Sequence, residues 1–148
     1  KSEDSIDVLE GKLKDSFKPS YTAPERTSST VNRIKRNPKI GERIKELYEN
    51  KCQVCNVLLK TPTGAISIGA HIRGLGRPHN GPDVIENMLC LCPNHHDQFD
   101  NYSFYIDSSS YKIVGLDNYE GKTITLSKKH HIGKEFLDYH HSEFLKNN

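Results

Sequence analysis

Cys52-Gln53-Val54-Cys55 and Cys92-Pro93-Asn94-His95 carry the same two-residue gap. Between them run Ala70-His71-Ile72-Arg73, Gly76-Arg77-Pro78-His79-Asn80-Gly81-Pro82-Asp83 and Glu86-Asn87-Met88-Leu89-Cys90-Leu91, and the second pair opens the run on to His96-Asp97-Gln98-Phe99-Asp100. Zinc takes four tetrahedral sulfur or nitrogen ligands, and structural sites are closed. Two short-spaced pairs of this kind therefore predict a structural zinc on Cys52, Cys55, Cys92 and His95. Cys90 is the spare thiol. Between Leu89 and Leu91 it reads as a small buried hydrophobe, and it competes with His95 for the fourth position. A redox role for the Cys-x-x-Cys pair lacks its usual strand-helix-strand context.

Pro93 suits the first position of a helix continuing through Asp100. On that helix His96 and Asp100 stand four residues apart and share a face. A histidine and a carboxylate so placed can hold one divalent ion, Mg²⁺ or Mn²⁺ by ligand chemistry.

The whole chain has 148 residues, 34% of them hydrophobic and none Trp. That length suits one domain plus a tail, and so thin a core calls for a metal or disulfide staple. No charged-then-apolar leader opens the sequence and no apolar run reaches membrane-spanning length, so a cytoplasmic setting and a metal rather than disulfides are expected. The net charge of +2 hides an asymmetry. Arg26, Arg33, Lys35, Arg36, Lys39, Arg43 and Lys45 crowd one segment in which Glu42 is the lone acid. Such a block suits phosphate-backbone contact or, more plainly, a solvated helix face.

Residues 1–25 read as a polar tail or linker, in which Ile6, Val8, Leu9 and Leu13 make at most one amphipathic turn, and residues 26–148 as the folded domain. Asn37-Pro38 predicts a helix start, and Ile40, Ile44, Leu47 and Tyr48 fall on one face. Residues 61–64 read as a loop, and Ile66, Ile68 and Ala70 alternate as in a strand. Residues 74–83 make an irregular Gly/Pro loop, with residues 80–83 as turn chemistry first. Residues 87–91 suit a short strand or turn. A hairpin follows around residues 107–110, then a strand over 123–126 and a helix over 133–146. That helix turns Phe136, Leu137, His140 and Phe144 inward, although the pairs His130-His131 and His140-His141 as such read as surface or interface residues. Tyr102 and Phe104 read as core.

The runs HIRGLGRPHNGPD and NMLCLCPNHHDQFD resemble the HNH, or ββα-metal, endonucleases. More narrowly they are similar to the HNH domain of SRA–HNH restriction endonucleases, which cut modified DNA. The resemblance spans about residues 24–145 and is strongest over 52–100. It implies an α+β fold: a small zinc-stapled ββα-metal domain with an N-terminal helix, extra short strands and a C-terminal helix. It implies His71 as general base, Asn87 accepting the imidazole N–H to fix its tautomer, and His96 as a metal ligand. Many HNH enzymes have Asp before the base histidine and Cys where His95 stands. Ala70 occupies the first position here, as is common in the SRA–HNH type, leaving the ion two clear protein ligands. Arg73, Arg77 and His79 would lie near the scissile phosphate, with Arg33, Arg36 and Arg43 as further DNA contacts.

The resemblance thus implies a bacterial restriction or defence endonuclease acting on double-stranded DNA, as a homodimer or by successive nicks. A base-reading SRA domain would lie outside this sequence. Two alternatives remain open: a zinc-stapled DNA-binding module without catalysis, and an HNH effector nuclease switched on by a separate sensor domain or partner.

Overall fold

The computed structural model describes residues 18–148. It divides into two units, Lys1–Asn32 and Arg33–Asn148. In the first, residues 18–32 are exposed and carry no regular secondary structure. The amphipathic turn expected at Ile6, Val8, Leu9 and Leu13 lies outside the described residues.

The second unit opens with helix α1 (Pro38–Leu47). Asn37 caps it as the sequence predicts: its side-chain oxygen accepts from the Lys39 N–H at 3.1 Å, and Pro38 fills a position that needs no donor. The helix buries Ile44 completely, with Ile40, Leu47 and Tyr48 beside it.

Strands β1 (Leu59–Thr61) and β2 (Gly64–Ile66) form a hairpin across the stretch expected to be a loop. Pro62 and Thr63 are its two-residue turn. Gly64, with φ at 132°, adopts a conformation that side chains rarely allow. The run from Ile66 to Ala70 is not one strand. It breaks at Ser67, whose hydroxyl bonds the Asn50 side chain at 2.7 Å, and β3 (Ile68–His71) then pairs elsewhere.

β3 runs antiparallel to β4 (Met88–Leu91), with Gly69 opposite Cys90, Ala70 opposite Leu89 and His71 opposite Met88. Side chains alternate between the faces of a strand. Met88 and Cys90 therefore face α1, while Leu89 and Leu91 enter the main core. All four are buried, so β4 is covered on both sides. A Cβ on Gly69 would sit 2.8 Å from the Met88 methyl carbon and 3.1 Å from Ile44, so α1 packs against bare backbone there. Helix α2 (Pro93–Asp100) follows β4 directly and completes the ββα unit.

The hairpin of β5 (Tyr105–Ile106) and β6 (Ile113–Val114) closes the core with Phe104, Ile106 and Ile113. Residues 123–126 do not form the expected strand. Only Thr123 bridges, to Lys112. The backbone of Thr125 is instead taken up by Gln53: its N–H donates to the Gln53 carbonyl and its own carbonyl accepts from Gln53 Nε2 at 2.8 Å.

Helix α3 (Lys134–Asn147) docks through Phe136, Leu137 and His140. The C-terminal histidine pairs are not simply surface residues. Neighbours point in different directions, so one of each pair turns inward: His130 is 6% and His140 3% exposed. His130 sits between the Tyr48 hydroxyl at 2.6 Å and the Ile85 carbonyl at 3.1 Å. His140 stacks flat on Phe99, centroids 3.7 Å apart, and donates from Nε2 to the Phe99 carbonyl at 2.9 Å.

Burial pushes the His140 imidazole down from 6.5 to about 4, against the opposing effect of that carbonyl. As pH falls, the unfolded chain takes up this proton first, so folding stability falls between those two values. The loss amounts to roughly 3 kcal/mol at 1.36 kcal/mol per unit. Urea unfolding at about pH 7 and about pH 4 should therefore show a drop larger in the wild type than in His140→Gln by roughly that amount.

Candidate functional site

Two centres meet on α2. The first is the cysteine cluster. The turn after α1 presents Cys52 and Cys55, with Asn56 in the left-handed region at φ 60° and its N–H bonded to the Cys52 carbonyl. Cys92 stands at the N-cap of α2 and His95 in its first turn. The ligand atoms of these four lie within 4.8 Å of one another. Cys55 Sγ is 3.9 Å from Cys92 Sγ, and His95 Nδ1 is 3.3 Å from Cys92 Sγ and 3.7 Å from Cys52 Sγ.

Tetrahedral zinc with bonds of ~2.3 Å to sulfur and ~2.0 Å to nitrogen would space its ligands by about 3.5–3.8 Å, so the donor set fits zinc in identity and size. Cys90 belongs elsewhere, packed with Ile44, Tyr48 and Met88 on the opposite face of β4. Burial pushes the Cys55 thiol up to about 12 and lowers the His95 imidazole, which is thus a neutral donor.

The second centre is a cleft of about 400 Å³ lined by Arg36, His71, His79, His96, Asp100 and Tyr102, among others. His71 ends β3 with only a tenth of its side chain exposed. His96 Nε2 and Asp100 Oδ2 lie 2.9 Å apart across one turn of α2, as the four-residue spacing predicts. Partial burial raises the Asp100 carboxyl, His96 opposes this, and Asp97 adds to it. Ala70, buried on the core side, brings no donor.

The hydrogen bond expected between Asn87 and His71 is absent. Asn87 is fully buried and spends its whole amide on the backbone of the Gly/Pro loop. Its oxygen accepts from the Arg73 N–H at 2.8 Å, and its nitrogen donates to the carbonyls of Arg73 and Pro82, each at 2.9 Å. Asn87 thus clasps both ends of the loop. His71 Nε2 instead lies 2.8 Å from Asp83 Oδ1. Gly81 threads the clasp so closely that a Cβ would collide with the Arg73 carbonyl.

Of the cations expected to meet DNA, Arg36 lines the cleft. Arg73 donates from Nε to the His79 carbonyl at 2.6 Å, and its guanidinium lies 4.3 Å over the Tyr139 ring. His79 Nδ1 is 2.6 Å from the Tyr139 hydroxyl. Arg33 and Arg77 are exposed away from the cleft lining, and Arg43 pairs with Glu46 at 3.6 Å on the outer face of α1. Tyr102, expected in the core, is half-buried at the cleft wall. Asp83 and Tyr139 are the additions the sequence did not single out. Asp83 had a local signal, being the sole carboxylate between His71 and Glu86. Tyr139 had none.

A family profile described as HNH endonuclease matches residues 52–107. A solved structure, described as the modification-dependent TagI restriction endonuclease, is 39% identical with a TM-score of 0.68. Residues 52–107 form an HNH endonuclease domain. The match covers 73% of this chain and 38% of that enzyme's, so the chain spans well under half the length of its structural relative. No curated protein matches. Among the described residues no helix is long and apolar enough to cross a membrane.

Two outcomes follow. Metal analysis of the purified protein should give about one zinc per chain, with Cys92→Ala losing it and a strong chelator lowering the melting temperature. Asn87→Ala removes three hydrogen bonds to partly buried backbone groups and should cost about 3 kcal/mol in denaturant unfolding; a loss below about 1 kcal/mol would contradict the clasp.

Proposed function

We propose that this HNH domain hydrolyses phosphodiester bonds of DNA, with His71 as general base and one divalent ion, Mg²⁺ or Mn²⁺, held by His96 and Asp100. The observation that carries the reading is that a single cleft gathers His71 with the His96–Asp100 pair, and Arg36 and His79 line it as well.

Phosphodiester hydrolysis has three requirements. A water must lose a proton, the developing charge on the phosphate must be met, and the leaving 3′ oxygen must be stabilised. Histidine is the side chain that most often takes such a proton, and His71 is the imidazole at the end of β3, beside the pair. His96 and Asp100 supply one nitrogen and one carboxylate from one helix face. A divalent ion bound there supplies positive charge for the phosphate and the leaving oxygen. With Ala70 contributing nothing, two protein ligands hold the ion, and binding without DNA is weak. Arg36, Arg73 and His79 steer the phosphate backbone toward His71, and Arg33, Arg43 and Arg77 add sequence-independent attraction. The products carry 5′-phosphate and 3′-hydroxyl ends.

The same reading makes the domain part of a bacterial, cytoplasmic restriction or antiviral system. The structural relative is described as a modification-dependent restriction endonuclease, which supports modification-dependent cutting here too, and modified cytosine is the base we propose. An SRA domain outside this sequence would read the base. One site cuts one strand, so duplex cleavage calls for a homodimer or two nicks.

Supercoiled plasmid, unmodified or cytosine-modified, incubated with the protein and Mg²⁺ or Mn²⁺, tests this. Nicked or linear product is expected only with added ion, and His71→Ala should slow it by about 10²- to 10⁴-fold. DNA bound and zinc retained without cutting under either ion would replace the nuclease with a binding module.

A further inference from the structure

We propose that Asp83 is the positioning residue of His71, fixing the tautomer and direction of its imidazole and tying both to the start of α1. The role rests on the nuclease reading above.

The carboxylate is held from two sides. Oδ1 lies 2.8 Å from His71 Nε2, and Oδ2 accepts from the backbone N–H of Asn37 at 2.8 Å. With both oxygens engaged, the group cannot turn without breaking one contact. The Asn37 N–H is the main cause holding the Asp83 carboxyl below its ordinary range; His71 and Arg36 add to it and burial opposes it. An ionised carboxylate only accepts. The hydrogen in the 2.8 Å contact therefore sits on His71 Nε2. In the neutral ring the lone pair is then on Nδ1, which has no hydrogen-bond partner among the described residues and is free to take a proton from water.

Asn87 cannot do this, because its amide is fully committed to Arg73 and Pro82. It acts one step back. By holding the Pro82 carbonyl it places the next residue, Asp83, while Gly81 N–H bonds the Gly74 carbonyl at 2.7 Å on the other side of Pro82. Arg36 precedes Asn37 directly, so the segment that lines the cleft with positive charge and the base share one anchor.

The experiment pairs kinetics with imidazole nitrogen NMR on wild type, Asp83→Ala and Asp83→Glu. In Asp83→Ala, kcat for plasmid nicking should fall about 10- to 100-fold with KM changed by less than about 2-fold. Asp83→Glu, which restores an acceptor, should recover activity to within about 10-fold of wild type. Zinc content and melting temperature certify that the variants fold. In the neutral ring of His71, the wild type should show the Nε2–H tautomer alone, and Asp83→Ala a mixture.

An unchanged kcat in Asp83→Ala overturns the proposal, as does an Nδ1–H tautomer in wild type or an unmixed Nε2–H tautomer in the variant. If Asp83→Ala does not fold, the wild-type tautomer and Asp83→Glu kinetics still decide. If the wild type cuts nothing, the nuclease reading fails, and the tautomer comparison alone judges the positioning.

Discussion

The amide of Asn87 is the constraint on which the site depends. A buried side chain with one acceptor and two donors must spend all three, and here each goes to the main chain of one loop. That loop is otherwise held by its own internal turns, such as Gly81 N–H on the Gly74 carbonyl, and by single contacts to Tyr139 and Asn37. It is rich in Gly and Pro, forms no ladder, and must still deliver an imidazole partner to a fixed spot. Clasping Arg73 and Pro82 together gives it the rigidity that a strand would otherwise provide, and the end of β3 inherits that rigidity.

The second organising element is α2, which serves two masters within eight residues. His95 and His96 are adjacent, so the helix turns them about 100° apart. One imidazole joins the cysteines beside Phe104 and Tyr119, and the other opens onto the cleft. Because Cys92 and His95 sit in the cysteine cluster, that cluster sets the direction in which His96 and Asp100 point. The cysteine–histidine knot is thus part of the aiming of the cleft residues, together with Phe99, which α2 buries in the main core.

Much of this was legible in the sequence for a common reason: the informative residues are close together along the chain. Cys-x-x-Cys, Cys-x-x-His, His-x-x-x-Asp and Asn-Pro state geometry within one turn, and α1, α2, α3 and the Cys3His cluster follow. What was not legible depends on long-range partners. The hydrogen-bond partner of His71 could be named only once the loop path was known, because Asn87 and Asp83 both offer an acceptor. Residues 123–126 have strand-like side chains, yet the backbone of Thr125 is claimed by Gln53, 72 residues earlier. The break at Ser67 has the same origin, since alternation of Ile66, Ile68 and Ala70 cannot reveal that two halves of a run pair with different strands. His130 and His140 look alike on paper and differ from their neighbours only through packing.

The stacking of Arg73 on Tyr139 bears on entropy. A free arginine side chain explores many rotamers, and most surface cations lose that freedom when a ligand arrives. Arg73 has lost it already: its Nε is bonded to the loop and its guanidinium lies over a ring supplied by α3. Ordering it is a cost of folding, not of binding. Arg33 and Arg77, exposed and unstacked, keep theirs. Any anion approaching the loop beside the cleft therefore meets one cation already in place among others that must still be recruited. A lysine at position 73, with no planar group to stack and no fixed fork, would return that ordering cost to the encounter itself.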